Sequence, residues 1–223
     1  SKCLFVSTRN LEVATRQLAM DIKDSGVICN PLNISNLDYV EYPTNEIFNF
    51  ASVARLEINF KGQDVLFQVL SQEPWRNRDW ILNLYGKGPD EEYLRNLAAF
   101  YQIESKVSFK GHVDDVKDIW RENQILLMPS LGEGTPLALL EATICGRTAV
   151  VSDVGGNAEV IENMVTGFIA DAPTPNSFGR VLEKAWEKRL SWQQMGLTAR
   201  QKGLLKIDLE PDKTLLKVLV QKK

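Results

Sequence analysis

Between residues 49 and 188, short near-continuous apolar runs alternate with longer stretches whose apolar residues recur at helical spacing. The runs at 50–56, 80–85, 106–109, 125–128, 148–152 and 165–169 predict strands. Helices are predicted at 62–70, 90–101 and 114–121, after Thr135, briefly after Gly156, and at 176–188, 192–204 and 212–220. Upstream, 2–7 and 26–29 predict short strands around a helix at 8–20. Residues 30–48 are polar and carry Pro31 and Pro43, which predicts a linker. Strands apolar on both faces and separated by helices predict an α/β class, a doubly wound, Rossmann-like parallel sheet. Ligands of such sheets lie beyond the carboxyl ends of the strands. Arg55, Val113 and Glu133 all follow strand ends, which puts them on one rim.

Composition narrows the partners. The 223 residues are 44% hydrophobic, enough for one substantial core and an appendage. The net charge is −3 with scattered Lys and Arg, so nothing predicts a grip on nucleic acid. Three cysteines, none in a C-x-x-C spacing, and a single His112 argue against a zinc site or a disulfide framework. They fit a reducing cytosol. No apolar run approaches the roughly 18 residues needed to cross a bilayer. The chain opens without a signal-peptide pattern and without Met, so we expect a fragment.

The stretch 131–145, LGEGTPLALLEATIC, concentrates the chemistry. Thr135-Pro136 reads as a helix start, a hydroxyl N-cap followed by proline at the first helical position. The N–H groups of Leu137 and Ala138 would then be unpaired and suited to phosphate. Gly132 and Gly134 would let a ligand approach the backbone. Glu133 faces the same mouth. Glu141 sits in an apolar helical run, where a carboxylate must find hydrogen-bond donors or meet a heavy desolvation cost. Either it lies on a solvated helix face or a ligand supplies the donors, a vicinal diol being the natural fit. Arg55 and Lys61 lie six residues apart on one connection and could converge on a diphosphate, though ordinary surface charge is the plainer reading.

Glu-x7-Glu, spelled EGTPLALLE, is preceded by PS-x-GEG-x-P and followed by CGR-x-AVVSDVGG. Together these resemble the signature of the retaining glycosyltransferases of the GT-B fold, family four. The resemblance implies the C-terminal, donor-binding half of such an enzyme, which transfers a hexosyl unit from a nucleotide-diphosphate sugar. It implies that Glu133 contacts the transferred sugar and Glu141 the ribose. RLEINFKG is similar to the family's phosphate-binding element, so Arg55 and Lys61 would stabilise the leaving diphosphate in place of a metal. Val113 would lie beside the base. Donor contacts are thus expected from Arg55, Lys61, Val113, Glu133, Gly134, Thr135, Pro136, Leu137 and Glu141, with Glu133, Arg55 and Lys61 catalytic. No cofactor or metal is implied, the UDP- or GDP-sugar being a substrate.

The resemblance also divides the chain. Residues 1–48 would be a remnant of the N-terminal half and a linker, with Asn30-Pro31-Leu32 where relatives tend to read Asn-Gly-Val. Residues 49–205 would be the nucleotide-sugar domain, and 206–223 a helix crossing back. A missing half would bring the sugar or lipid-linked acceptor, so the fragment should bind donor yet transfer poorly. The location implied is cytoplasmic, membrane-peripheral for a longer protein. A non-catalytic nucleotide-binding module would use the same residues; an epimerase-like protein is disfavoured by the Glu pair. Leu4, Val6 and the 215–219 leucine face lack their expected partner and should pack on each other, on a second copy, or be poorly ordered. Acids at 90–92 and 114–115 are expected to complement helix dipoles. Gly86-Lys87-Gly88 opens onto acids, unfavourable for a dinucleotide, and His112 lies in a loop resembling the base end, away from acid–base work.

Overall fold

The computed structural model describes residues 2–34 and 36–220. A small N-terminal unit contains β1 (Cys3–Phe5), α1 (Thr8–Leu18) and β2 (Ser25–Val27). The main body follows with β3 (Phe48–Val53), α2 (Ile58–Lys61), α3 (Gln63–Leu70), β4 (Trp80–Tyr85), α4 (Glu91–Phe100) and β5 (Val107–Gly111). Its second half is α5 (Val116–Glu122), β6 (Ile125–Met128), α6 (Leu137–Ile144), β7 (Thr148–Ser152), α7 (Asn157–Val160) and β8 (Phe168–Ala170). Helices α8 (Pro175–Glu187), α9 (Trp192–Lys206) and α10 (Pro211–Val220) close the described chain.

Six strands form one parallel sheet in the order β5-β4-β3-β6-β7-β8, the expected doubly wound, Rossmann-like arrangement. Alternation within each strand divides the core into two layers. Phe50, Leu82, Leu84, Ile125, Leu127 and Val150 pack under α3, α4, α8 and α9. Their neighbours Ala51, Tyr85, Leu126, Met128, Ala149 and Val151 pack under α5 and α6. The chain reverses its winding between β3 and β6, whose register pairs Phe50 with Ile125. A crevice opens at such a reversal, beyond the strands' carboxyl ends.

Several element boundaries differ from the sequence expectation. The strand expected at 165–169 is β8, starting at Phe168, because Met164 takes φ +65° and the Thr166 hydroxyl accepts from the Glu162 N–H in a turn. Between β3 and α3 an unexpected short helix, α2, ends at Gly62, whose φ is +64°. A Cβ there would lie 2.4 Å from the Pro129 carbonyl oxygen. Gly62→Ala should therefore cost about 1–2 kcal/mol. Gly132→Ala, where a Cβ meets nothing within 4 Å, should be near neutral. Urea titration of both variants checks the contrast.

Among its described residues the 30–48 segment has no helix or strand through residue 47, yet it is tied down. Arg200 donates to the carbonyls of Leu37, at 2.5 Å, and Ile144, and the Lys117 ammonium bonds the Asn36 side chain. Arg147 binds the carbonyls of Val40 and Glu41 at 3.1 and 2.6 Å. The N-terminal unit docks against the rim, so of the three arrangements expected for the two ends, packing on each other is not the one its hydrogen bonds show. Thr135 donates its hydroxyl to the Val6 carbonyl at 2.6 Å, and Arg9 pairs with Asp153. Glu159 accepts the first amides of α1, Thr8 at 3.3 Å and Arg9 at 2.9 Å, which suits the positive end of a helix. Leu216 and Leu219 of α10 stay exposed. Positions 1 and 35 of the expected 1–48 segment and 221–223 of the last lie outside the described residues.

Candidate functional site

The loop after β3 and the loop after β6 meet where α2 brings Lys61 against Glu133. Asp90 accepts from the Ile58 N–H at 2.8 Å, so its carboxylate caps α2 and not its own helix, as the sequence suggested. Leu131 N–H donates to the Phe60 carbonyl at 2.9 Å, fixing the other end of α2 to the β6 loop. Held this way, Lys61 Nζ donates to Glu133 Oε1 at 2.7 Å. Their side chains are only 25% and 8% accessible, so the pair is largely out of water. Arg55 does not join it. Its guanidinium is 65% accessible and lies 3.4 Å from the Glu57 carboxylate, while its carbonyl accepts from Gln63 Nε2 at 2.8 Å.

Helix α6 starts one residue later than expected. Pro136 has ψ 123° and sits at the N-cap, where no side chain supplies a cap bond. With Pro136 extended, Thr135 falls one residue before the N-cap, and its hydroxyl donates to the carbonyl of Val6, a partner 129 residues away. Gly134 is likewise explained by Val6, whose Cγ2 would lie 2.6 Å from an added Cβ; Gly132 faces open space. The expected consequence survives the shift. Leu139 and Leu140 donate to the Pro136 carbonyl, but the amides of Leu137 and Ala138 have no partner among the described residues.

Those two residues border a cleft of about 540 Å³, opposite Val53, Ala54, Gly86, Gly111, His112 and Val113. Glu141 forms its floor at 5% exposure, so the solvated-face alternative falls away. Burial raises its pKa above the ordinary glutamate value, opposed by the backbone N–H of Asn33. Asn33 and Tyr85 also line the cleft and were missed by sequence reasoning. Asn33 lies in an aperiodic polar stretch, and Tyr85 reads as a strand end. Asn123 Nδ2 donates to the Tyr85 hydroxyl at 2.9 Å, and burial pushes that hydroxyl's pKa up to about 12. His112 is mostly exposed and 3.5 Å from Asp114. Glu133 borders a neighbouring cleft of about 440 Å³ with Arg9, Asn10, Asp153 and Gly155. Two clefts therefore flank the start of α6, one reached by Glu141 and one by Glu133.

Residues 43–202 match the family model of glycosyl transferases group 1. The chain belongs to this family. An uncharacterised glycosyltransferase of Haemophilus influenzae is 29% identical over 147 residues, 64% of this chain and 41% of that protein. The glycogen synthase of Pseudomonas syringae is 31% identical over 162 residues, 68% of this chain and 32% of its own length. Among solved structures, Anabaena HepE in complex with UDP superposes with a TM-score of 0.81 at 20% identity, covering 99% of this chain and 64% of that one. The sheet is that of a GT-B C-terminal domain. The chain spans roughly a third to two fifths of the length of these two curated relatives. Among the described residues no helix is long and apolar enough to cross a membrane, and no group of three or more His, Cys, Asp or Glu gathers as for a metal.

Proposed function

We propose that this domain binds the nucleotide-diphosphate sugar of a retaining, family-four hexosyltransferase. The observation that carries the reading is the cleft Glu141 shares with the open amides of Leu137 and Ala138 at the sheet reversal, with Glu133, paired to Lys61, on the neighbouring cleft across the start of α6. A nucleoside diphosphate sugar has a diol, a dianionic bridge and a polyhydroxylated ring in that order. Glu141 accepts from the ribose diol, and Val113 packs beside the base. The Leu137 and Ala138 amides and Lys61 take the diphosphate, with exposed Arg55 swinging onto it as ligand enters. Glu133 holds sugar hydroxyls. Charge on the departing diphosphate is the largest electrostatic demand of the reaction, and fixed donors meet it without reorganising. The cations act in place of a metal. HepE has been solved with UDP and with UDP-glucose, which supports a uridine donor.

A second half-molecule supplies the acceptor, a sugar or a lipid-linked sugar, in a cytoplasmic or membrane-peripheral enzyme. The relative that transfers galactose to a diphosphoundecaprenol-linked sugar in Escherichia coli supports that class. This chain alone binds donor and transfers poorly. Titration calorimetry with UDP and with GDP, each with EDTA and with Mg²⁺, tests the reading. Binding in EDTA by one of the two is expected. Binding only with Mg²⁺ would overturn the metal-free mechanism, and none at all would overturn the donor site.

A further inference from the structure

The largely buried ion pair at 2.7 Å between Lys61 and Glu133 is a contact between two groups assigned to different parts of the donor. We infer that the Lys61–Glu133 pair is an exchange switch that couples release of the nucleoside diphosphate to departure of the sugar. The inference rests on the donor-site reading above. Without ligand, Lys61 spends its charge on Glu133 Oε1, while Oε2 makes no hydrogen bond to a described residue. A diphosphate entering beside the Leu137 and Ala138 amides competes with Glu133 for the Lys61 ammonium. Sugar hydroxyls then take over the displaced carboxylate, so the intact donor satisfies both partners at once. After transfer the diphosphate remains without the sugar, and Glu133 has no hydroxyl to hold. It returns to Lys61 and weakens the product's grip. A pair sheltered from water is worth enough to matter in this exchange, whereas an exposed one is not.

Three neighbours keep the switch short-range. The Leu131 N–H on the Phe60 carbonyl at 2.9 Å fixes the end of α2. The Gly156 N–H holds the Gly134 carbonyl at 2.6 Å, and Asn10 Nδ2 reaches the Glu133 carbonyl at 3.5 Å, so the Glu133 backbone stays in place. Only the two side chains need move.

The test is a double-mutant cycle read as UDP and UDP-glucose dissociation constants, using E133Q, K61M and both together. E133Q should tighten UDP roughly fivefold, the scale of releasing one partly buried ion pair. It should not tighten UDP-glucose, because the sugar's acceptor is weakened as Lys61 is freed. In the K61M background E133Q should leave UDP binding unchanged. Equal tightening in both backgrounds would reduce Glu133 to a general repulsive charge and overturn the switch. No tightening in E133Q, with wild type binding UDP normally, would overturn it as well. Wild type that binds neither UDP nor GDP would remove the donor site itself, and the inference with it. Circular dichroism melts of all three variants exclude loss of fold as the cause of any weakening.

Discussion

Replacing Arg147 by methionine should destabilise the protein by about 3–5 kcal/mol, measured by urea unfolding at neutral pH. Arg147 is fully buried, and burial lowers its pKa from the usual arginine value. Among the described residues no carboxylate is its hydrogen-bond partner. Its guanidinium instead donates to the carbonyls of Trp120, Asn123, Val40, Cys145, Gly146 and Glu41. Methionine fills similar volume and spares the cost of a buried charge, which by itself favours the variant. It leaves six carbonyls without that donor, each costing about 1–3 kcal/mol where water cannot reach. The second effect wins because it is multiplied. Lysine should rescue little, since a single ammonium cannot reproduce the planar fork. Arg95→Ala, which breaks the exposed i,i+4 pair with Glu91 at 2.7 Å, should change stability by less than about 0.5 kcal/mol. The Arg147 variant should also free residues 37–42, seen as faster amide exchange there before the sheet opens. A small loss, with that segment still protected, would show that the carbonyls find other partners.

That linker marks the boundary of what the chain discloses in its pattern. The sheet was legible because its strands are buried on both faces, so Ile125 to Met128 or Thr148 to Ser152 could only be strands among helices. Arg55, Val113 and Glu133 were legible as rim residues because each follows such a strand, and Lys61 because it lies on the same connection six residues after Arg55. The order of residues 36–42 comes from long side chains on other elements bonding to its carbonyls, and carbonyls leave no mark in a sequence. Arg147 therefore read as part of a motif, not as the anchor of a strap. The same applies at the site. Thr135 and Gly134 have local signals for a helix cap and a close ligand approach, but Val6 uses both. The helix start moved because Pro136 is extended, and the Thr135 hydroxyl is left to a contact spanning 129 residues that no local pattern announces. Asp90 moved for a like reason, its carboxylate reaching α2 at 2.8 Å.

Glu141→Gln should change stability and binding in opposite directions. Its carboxyl is buried, and desolvation holds its pKa above the ordinary glutamate value. Between the unfolded pKa and that raised folded value the native state binds more protons than the unfolded state. Stability therefore falls as pH rises through that window, and the ionised group is a burden above it. Glutamine keeps the shape and removes the charge, so the variant should melt higher at pH 8. Its advantage should vanish below the unfolded value, where wild type is protonated in both states. In a chain of this size each kcal/mol recovered moves Tm by about 2–4 °C. Nucleotide binding should go the other way. A carboxylate accepting from a ribose diol makes hydrogen bonds worth about 1.5–3 kcal/mol, so UDP affinity should drop roughly 10- to 100-fold. Wild-type affinity should itself decline as pH falls through the raised pKa, and the variant's should not. Melting curves and UDP titrations across pH 5 to 8 check both signs. A variant that binds UDP as tightly as wild type, with no difference in pH profile, would remove Glu141 from the ribose site and leave it a strained passenger of the core.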